Sequence, residues 1–419
     1  MRIQSRESKV SGATAVGLTA LIALSGCTGT ATTPGAASSS QAGAVASIES
    51  NGDTYVVPST LTGQRGRLLA AKNVEFEQDE IGAERQTILY ESRNTNGAPV
   101  AVSGTVLIPK GTPPAGGWPI VSWAHGTTGV ADRCAPSHRP DMGYPTYSQY
   151  LARLVASGYA VVATDYIGLG TPGMHTYMNA VDQGNAVDDI VPAARALDSR
   201  LSDRWFVSGH SQGGAAALES VWTGTERSGS APSATISLAP GNDLGPSVRR
   251  FVAGGDTYPA RAAYMMFVLT GMQTTDPTGG VDQILSDDGK RFKEKMSTAC
   301  LFDDSVSTAD IPDQRTLFSV PQGSPLLDTF ARRADEYGNP DQEPVSGPAL
   351  VITGDADLDV PTAGTRALVE NLRSKKSDVA EIVVPGEEHE KPLNSTFCAQ
   401  LTFLASHGGA RQSATCTAS

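Results

Sequence analysis

Two runs rich in β-branched residues flank Asn96-Gly97 in "QTILYESRNTNGAPVAVSGTVLIP". Asn-Gly supplies the positive φ angles that a tight turn requires, so the pattern predicts a β-hairpin. Beyond it, short apolar runs alternate with stretches of helical periodicity. "PIVSWAHG" reads as a buried strand ending in a loop, and "YSQYLARLVASG" as a helix stopped at Gly158. "YAVVATDY" is the next strand. "NAVDQGNAVDDIVPAARALDSRL" is mostly helical, with an interruption or kink expected at Pro192. "DRWFVSGHS" is a strand entering a Gly-rich turn, and "AAALESVW" is the helix after it. The strand "SATISLAPG" follows. Later come the strands "PALVITGD" and "AEIVVPG", separated by the helical "TRALVENLRSKK". Alternation of this kind predicts an α/β fold, with a mostly parallel central sheet covered by helices on both faces.

Residues from about 242 to 346 break the rhythm. They are rich in Gly, Pro and Asp, with helical patches such as "ARAAYMMFVLTGM". This interval reads as a cap inserted into the α/β domain, and its Met-rich helix either fills the cap core or lines an acyl tunnel.

The first 50 residues follow a different logic. Arg2, Arg6 and Lys9 precede the apolar run "AVGLTALIAL", which is too short for a mature membrane-spanning helix. The run ends in "LSGC", the pattern of a bacterial lipoprotein signal whose Cys27 is lipidated. Residues 1–26 are therefore expected to be a signal peptide. Residues 27–50, dominated by Gly, Ala, Ser and Thr, are expected to be a flexible tether, leaving 51–419 as the folded domain. The expected location is the outer face of a bacterial cell membrane, held by the N-terminal lipid, or the exterior as a secreted protein.

The net charge is −12, and removal of the signal makes the remainder more acidic still. No basic stripe is present, which argues against a nucleic-acid partner. Nothing in the sequence calls for an obligate protein partner. Cys134, Cys300, Cys398 and Cys416 remain after Cys27. An even number in an exported chain predicts two disulfides with three conceivable pairings. Cys134–Cys300 with Cys398–Cys416 is the pairing favoured, partly because the last two lie close in sequence.

The candidate chemistry centres on "GHSQGG", a Gly-x-Ser-x-Gly at residues 209–213. With 44 glycines in the chain the pattern alone is weak. Its placement between a strand and a helix makes it a candidate nucleophile elbow, in which Ser211 is pushed off the sheet edge and the amide of Gln212 points at a reacting oxygen. A serine needs a base, and in this architecture the order is Ser, acid, His. Of six histidines, only His389 and His407 follow an acid that lies beyond Ser211. His407 ends the last helix, where its charge suits the helix dipole. His389, in the loop "VVPGEEHEKP" after the final strand, is the candidate base. The acid should follow the strand "ALVIT", in "GDADLDVP". An EF-hand starting at Asp355 would need Gly and Glu where Val360 and Arg366 stand, so calcium is excluded there. Asp359 is expected to cap the next helix, and Asp355 and Asp357 remain as acids. "WAHGTTG" offers a second oxyanion donor, the amide of Thr127. Asp165 and Tyr166 are expected in a structural loop, and His175 as a loop residue.

Taken together, "HGTTG…CAPS", "TDYIGLGTPG", "GHSQGG", "GDADLDVP" and "EEHEKP" resemble the secretory lipases of the lipase A type, found in yeasts and actinobacteria, within the α/β-hydrolase superfamily. The resemblance runs from about residue 80 to 400. It implies ester hydrolysis, a lid inserted after the sixth strand, and disulfides. It also favours Asp357 as the acid, because the family's Asp-x-x-Val-Pro pattern falls there. The expectation is a serine carboxylic-ester hydrolase acting on an ester or lipid through an acyl-enzyme, with no metal and no organic cofactor. An acyltransferase to an envelope alcohol, a peptidase and an inactive surface binding protein are the alternatives.

Overall fold

The computed structural model describes residues 54–77, 79–254, 258, 260–301, 312–410 and 416. The expected signal peptide, tether and lipidated Cys27 lie outside them. Among the described residues nine strands form one sheet: β1 (Leu68–Asn73), β2 (Ala83–Arg93), β3 (Pro99–Pro109), β4 (Trp118–Ala124), β5 (Ala160–Thr164), β6 (Leu201–His210), β7 (Thr235–Leu238), β8 (Ala349–Gly354) and β9 (Val379–Val384). Their order is β1-β2-β3-β5-β4-β6-β7-β8-β9. The first three strands are antiparallel and β3 meets β5 antiparallel; from β5 to β9 every pairing is parallel. The β2–β3 hairpin turns through Asn94–Ala98, with Gly97 at φ +79°. The edge strand β1 went unread in the sequence. Its "LLAAKN" contains no β-branched residue, and pairing with β2 holds it extended.

The sheet buries both faces because its strands alternate. In β4, Val121 and Trp123 pack toward α1 (Pro145–Ala156) and α11 (Phe397–Ser406), where Tyr150, Leu154, Phe397 and Leu401 complete one core. Ile120 and Ala124 point the other way, onto Val187 and Ile190 of α2 (Ala180–Leu197) and Ala216 of α3 (Gln212–Glu219). Each fully buried Val, Ile, Leu or Phe here contributes about 1.5–3 kcal/mol, and a register slip by one residue would exchange the two faces and forfeit that burial. Helix α2 begins at Asn179, whose side chain accepts the amide of Asp182, and it continues through Pro192 rather than breaking there. Ile190, Val191, Ala193 and Ala194 around the proline are all buried against the sheet, and that packing overrides the lost hydrogen bond. Helix α9 (Thr362–Ser374) covers β8 with Leu368 and Val369, and α10 (Pro392–Ser395) leads into α11.

Between β7 and β8 the chain leaves the sheet as α4 (Leu244–Val252), α5 (Ala260–Thr275), α6 (Val281–Ile284), α7 (Asp287–Ser297) and α8 (Pro325–Gly338). These helices share their own apolar cluster, including Phe251, Met266, Phe267, Phe292 and Phe330. The insertion follows the seventh strand rather than the sixth, because β1 adds one. Disulfide Cys134–Cys300 joins its α7 end to the loop after β4, and Cys398–Cys416 ties α11 to the C-terminal segment. Among the described residues no helix is long and apolar enough to cross a membrane.

Candidate active site

Ser211 sits between β6 and α3 with φ 59° and ψ −118°, a conformation that a serine adopts only when its surroundings enforce it. The enforcement is visible in backbone contacts. The Ser211 amide donates to the carbonyl of Leu238, and its own carbonyl accepts from Gly241. A Cβ on Gly213 would lie 1.9 Å from the carbonyl oxygen of Ala124, and one on Gly209 would lie 2.0 Å from that of Gly213. The glycines of "GHSQGG" are therefore there to let β4 and α3 approach the elbow.

Three other loops close on this point. Asp357, in the turn after β8, is buried. Its Oδ2 accepts from Nδ1 of His389 at 2.7 Å, while Oδ1 accepts the amides of Asp359 and Val360, each at 2.8 Å. Burial disfavours the charged His389 imidazolium. The hydrogen bond and charge of Asp357, together with Asp359 and Glu390, outweigh that and hold its pKa above the ordinary 6.5. The loop after β9 places the His389 ring 4.5 Å, centroid to centroid, from that of His210, the residue preceding Ser211. Asp355 is exposed and accepts the Gly386 amide at 2.5 Å; it is a turn residue. Asp359 does not cap α9, whose N-cap is Pro361 without a side-chain bond. Instead its carboxylate accepts from Tyr264 of α5 at 3.0 Å and from Tyr258 at 3.4 Å, because the inserted helices come down over this turn. Asp357, Asp359 and His389 bring ligand atoms within 4.8 Å of one another, the first and last through their hydrogen bond and Asp359 through Tyr264 and Tyr258.

Thr127, Ser211 and Gln212 line one cavity of about 420 Å³. The insertion lines it with Leu244, Phe251, Tyr264, Met265 and Val268 and with the polar Asp243, Ser247, Arg250 and Arg261. Of the Met-rich stretch in α5, Met265 and Val268 reach the cavity lining, while Met266 and Phe267 are buried in the cap core. Asp359 lines this cavity and also a more open hollow of about 690 Å³ that His389 shares with Glu387, Glu388 and Glu390.

The loops behind the site are packed with polar side chains that no local motif announces. The Thr127 hydroxyl meets Tyr177 Oη at 2.6 Å, and its carbonyl accepts from Tyr144. The Gln212 side chain donates to Nε2 of His175 at 2.9 Å and to Gln183 at 2.8 Å. His175 is a loop residue, as expected, and burial pushes it down to about 3, so it is a neutral acceptor there. Asp165 accepts from Ser103 and Ser137, and Tyr166 donates to the His125 carbonyl, so both hold loops together. His407 caps α11, with its ring against the Phe403 carbonyl.

A mostly parallel sheet of this order, carrying a serine on its strand–helix elbow, defines a serine hydrolase of the α/β-hydrolase fold. The chain belongs to the serine aminopeptidase (S33) family of hydrolases, whose model matches residues 137–393. No curated protein matches the sequence. Among solved structures, Candida antarctica lipase A in its closed state is similar, with a TM-score of 0.68 and 16% identity over 87% of each chain. A rice cell wall degrading esterase, LipA, from Xanthomonas oryzae has a TM-score of 0.61 and 20% identity over 82% of this chain and 96% of that one.

Proposed function

We propose that the protein is a serine carboxylic-ester hydrolase with Ser211 as nucleophile, His389 as base and Asp357 as acid. The observation that carries this reading is the 2.7 Å bond between Asp357 and Nδ1 of His389, on a ring packed against the neighbour of Ser211. In the proposed cycle Nε2 of His389 takes the Ser211 proton as Oγ attacks an ester carbonyl. Asp357 fixes the tautomer and stabilises the imidazolium. The amides of Gln212 and Thr127 receive the oxyanion. The alcohol leaves with the proton from His389, and water then hydrolyses the acyl-enzyme by the same route.

An ester with an apolar acyl group suits the cavity at Ser211, which offers Leu244, Phe251, Met265 and Val268 to the acyl group beside the polar Ser247, Arg250 and Arg261, and whose volume is that of a small-molecule site. The similarity of the fold to a lipase and an esterase agrees with this. The family's description as aminopeptidases favours a second reading, amide hydrolysis by the same triad. Turnover of the native protein and of Ser211→Ala on a panel of p-nitrophenyl esters and aminoacyl p-nitroanilides tests both. Retained ester hydrolysis sinks the nucleophile assignment, and anilide turnover exceeding ester turnover favours the peptidase. Added glycerol that captures the acyl group in preference to water would make it an acyltransferase. Two disulfides accord with an oxidising compartment. We infer export with anchoring through lipid on Cys27, testable by release of Cys27→Ser into the medium.

A further inference from the structure

His210 has no part in the cycle above, yet it joins three of the loops that the cycle uses. It is fully buried, and its ring nitrogens are both engaged. Nδ1 lies 2.9 Å from the hydroxyl of Tyr147 on α1, and Nε2 lies 3.1 Å from the carbonyl of His389. The Tyr147 hydroxyl also accepts the amide of Gly126 at 3.0 Å. A hydroxyl has one proton; with Gly126 donating to it, that proton is free for Nδ1. A carbonyl can only accept, so Nε2 carries the hydrogen. One directional chain results: Gly126 N–H to Tyr147 Oη, Tyr147 O–H to His210 Nδ1, His210 Nε2–H to the His389 carbonyl. Its first member precedes Thr127 and its last is the base itself. The space is equally committed, since a Cβ on Gly126 would lie 2.2 Å from the Tyr147 hydroxyl and 3.3 Å from the Ser211 Cβ.

We propose that His210 is a positioning residue for His389, holding the base loop in register with the oxyanion loop, and that Tyr147 sets the tautomer this requires. The inference rests on the triad reading given above. Its physical content is alignment. The His389 backbone is fixed from one side by His210 and its ring from the other by Asp357, so the remaining nitrogen is aimed rather than left to rotate. Burial, reinforced by the neighbouring His389, keeps the His210 imidazole far below its ordinary value and hence neutral, with a single N–H to donate.

The test uses the full-length protein and p-nitrophenyl butyrate, with kcat expressed per folded molecule. His210→Leu removes both bonds. It should lower kcat by about a hundredfold, the scale of a small misplacement of a reacting group, while KM changes little. His210→Gln retains an amide donor near the Nε2 position and should recover about tenfold of that loss. Tyr147→Phe should lower kcat in the native background but cost little more beside His210→Leu, as expected of two members of one chain. A His210→Leu protein with native kcat overturns the proposal. So does a loss confined to melting temperature, or a Gln variant no better than Leu. Where His210→Leu does not fold, Tyr147→Phe with unchanged kcat overturns it. Ser211→Ala is measured alongside: residual native turnover there defeats the triad reading itself, whereas an inactive Ser211→Ala beside a fully active His210→Leu defeats only the role of His210.

Discussion

Asp357 and His389, 32 residues apart in sequence, meet through a single 2.7 Å bond from Nδ1 to Oδ2, and the other carboxylate oxygen is taken up by the amides of Asp359 and Val360. The carboxylate is thus locked before any substrate arrives. Asparagine at 357 can keep the shape but presents either an NH₂ group or a weaker acceptor to Nδ1.

Asp357→Asn should therefore lower kcat by on the order of a thousandfold or more, through the wrong tautomer and an unstabilised imidazolium. Asp355→Asn should leave kcat within about twofold and cost about 1 kcal/mol of stability at most, the usual worth of one exposed hydrogen bond. Steady-state kinetics and urea melts of the two variants decide the matter. A larger kinetic loss at Asp355 would refute the assignment of Asp357.

The choice between these aspartates shows how far the sequence reaches. Strand periodicity located the turn after β8, and turn chemistry located Asn96-Gly97, because both are local. "GHSQGG" was legible for the same reason: Gly209 and Gly213 answer contacts within the strand–turn–helix unit or with β4. Asp359 was misassigned because its partners, Tyr258 and Tyr264, come from an insertion some 95 to 101 residues away. Tyr147 and His175 carried no signal at all. Their partners are set by which loops the sheet order brings together, and nothing in a run of ten residues encodes that.

The pH dependence follows from the raised pKa of His389. In the proposed triad His389 must be neutral to accept the Ser211 proton, so kcat/KM should rise as pH passes that value, and the acidic limb should lie above 6.5. Asp359→Asn removes one of the charges that raise it, and the limb should move toward lower pH. The stability effect has the opposite sense. A folded pKa above the unfolded one gives stabilisation that is fully present below the unfolded value and is lost as pH rises through the folded value. A kcat/KM profile whose acidic limb sits at or below 6.5, or that ignores Asp359→Asn, contradicts this account.

The elbow itself should be intolerant of a single methyl group. Gly213→Ala would place Cβ 1.9 Å from the Ala124 oxygen and 2.3 Å from its carbonyl carbon, both backbone atoms of a central strand. No side-chain rotation relieves that contact. The expected cost is about 3 kcal/mol or more, read as a lowered urea midpoint or failure to accumulate as soluble protein. A Gly213→Ala protein with native stability and activity would show that β4 and α3 are farther apart than described.

The two disulfides should not be equivalent. Cys134–Cys300 closes a separation of 166 residues and Cys398–Cys416 one of 18, which in the chain-entropy model correspond to about 5 and about 3 kcal/mol. The first also lies beside the site. Leu301 donates to the Thr128 carbonyl at 2.9 Å, and Cys300 forms a β-bridge with Gly129. Replacing both Cys134 and Cys300 by Ser should therefore lower kcat as well as the melting temperature, since Thr127 is the adjoining residue. The Cys398/Cys416 double replacement should lower only the melting temperature. Equal kinetic effects of the two would argue that the Cys134–Cys300 link does not steady the oxyanion loop.

The α5 side of the cavity gives the last expectation, acyl length. Val268 and Met265 are on α5 and line the same cavity as Ser211, and a residue larger than Val268 would fill part of it. Val268→Trp should reduce the cavity from its α5 side and leave Thr127 and Gln212 in place. The specificity constant for a long acyl ester such as the palmitate should then fall much more than that for the acetate. Each buried methylene that loses its apolar contact forfeits about 0.8 kcal/mol, so the loss should grow by about fourfold for every carbon denied room. Rates on p-nitrophenyl esters of increasing chain length give this slope directly. If Val268→Trp lowered all of them by the same factor, the acyl chain would not lie against α5, and the apolar wall would serve the packing of the insertion alone.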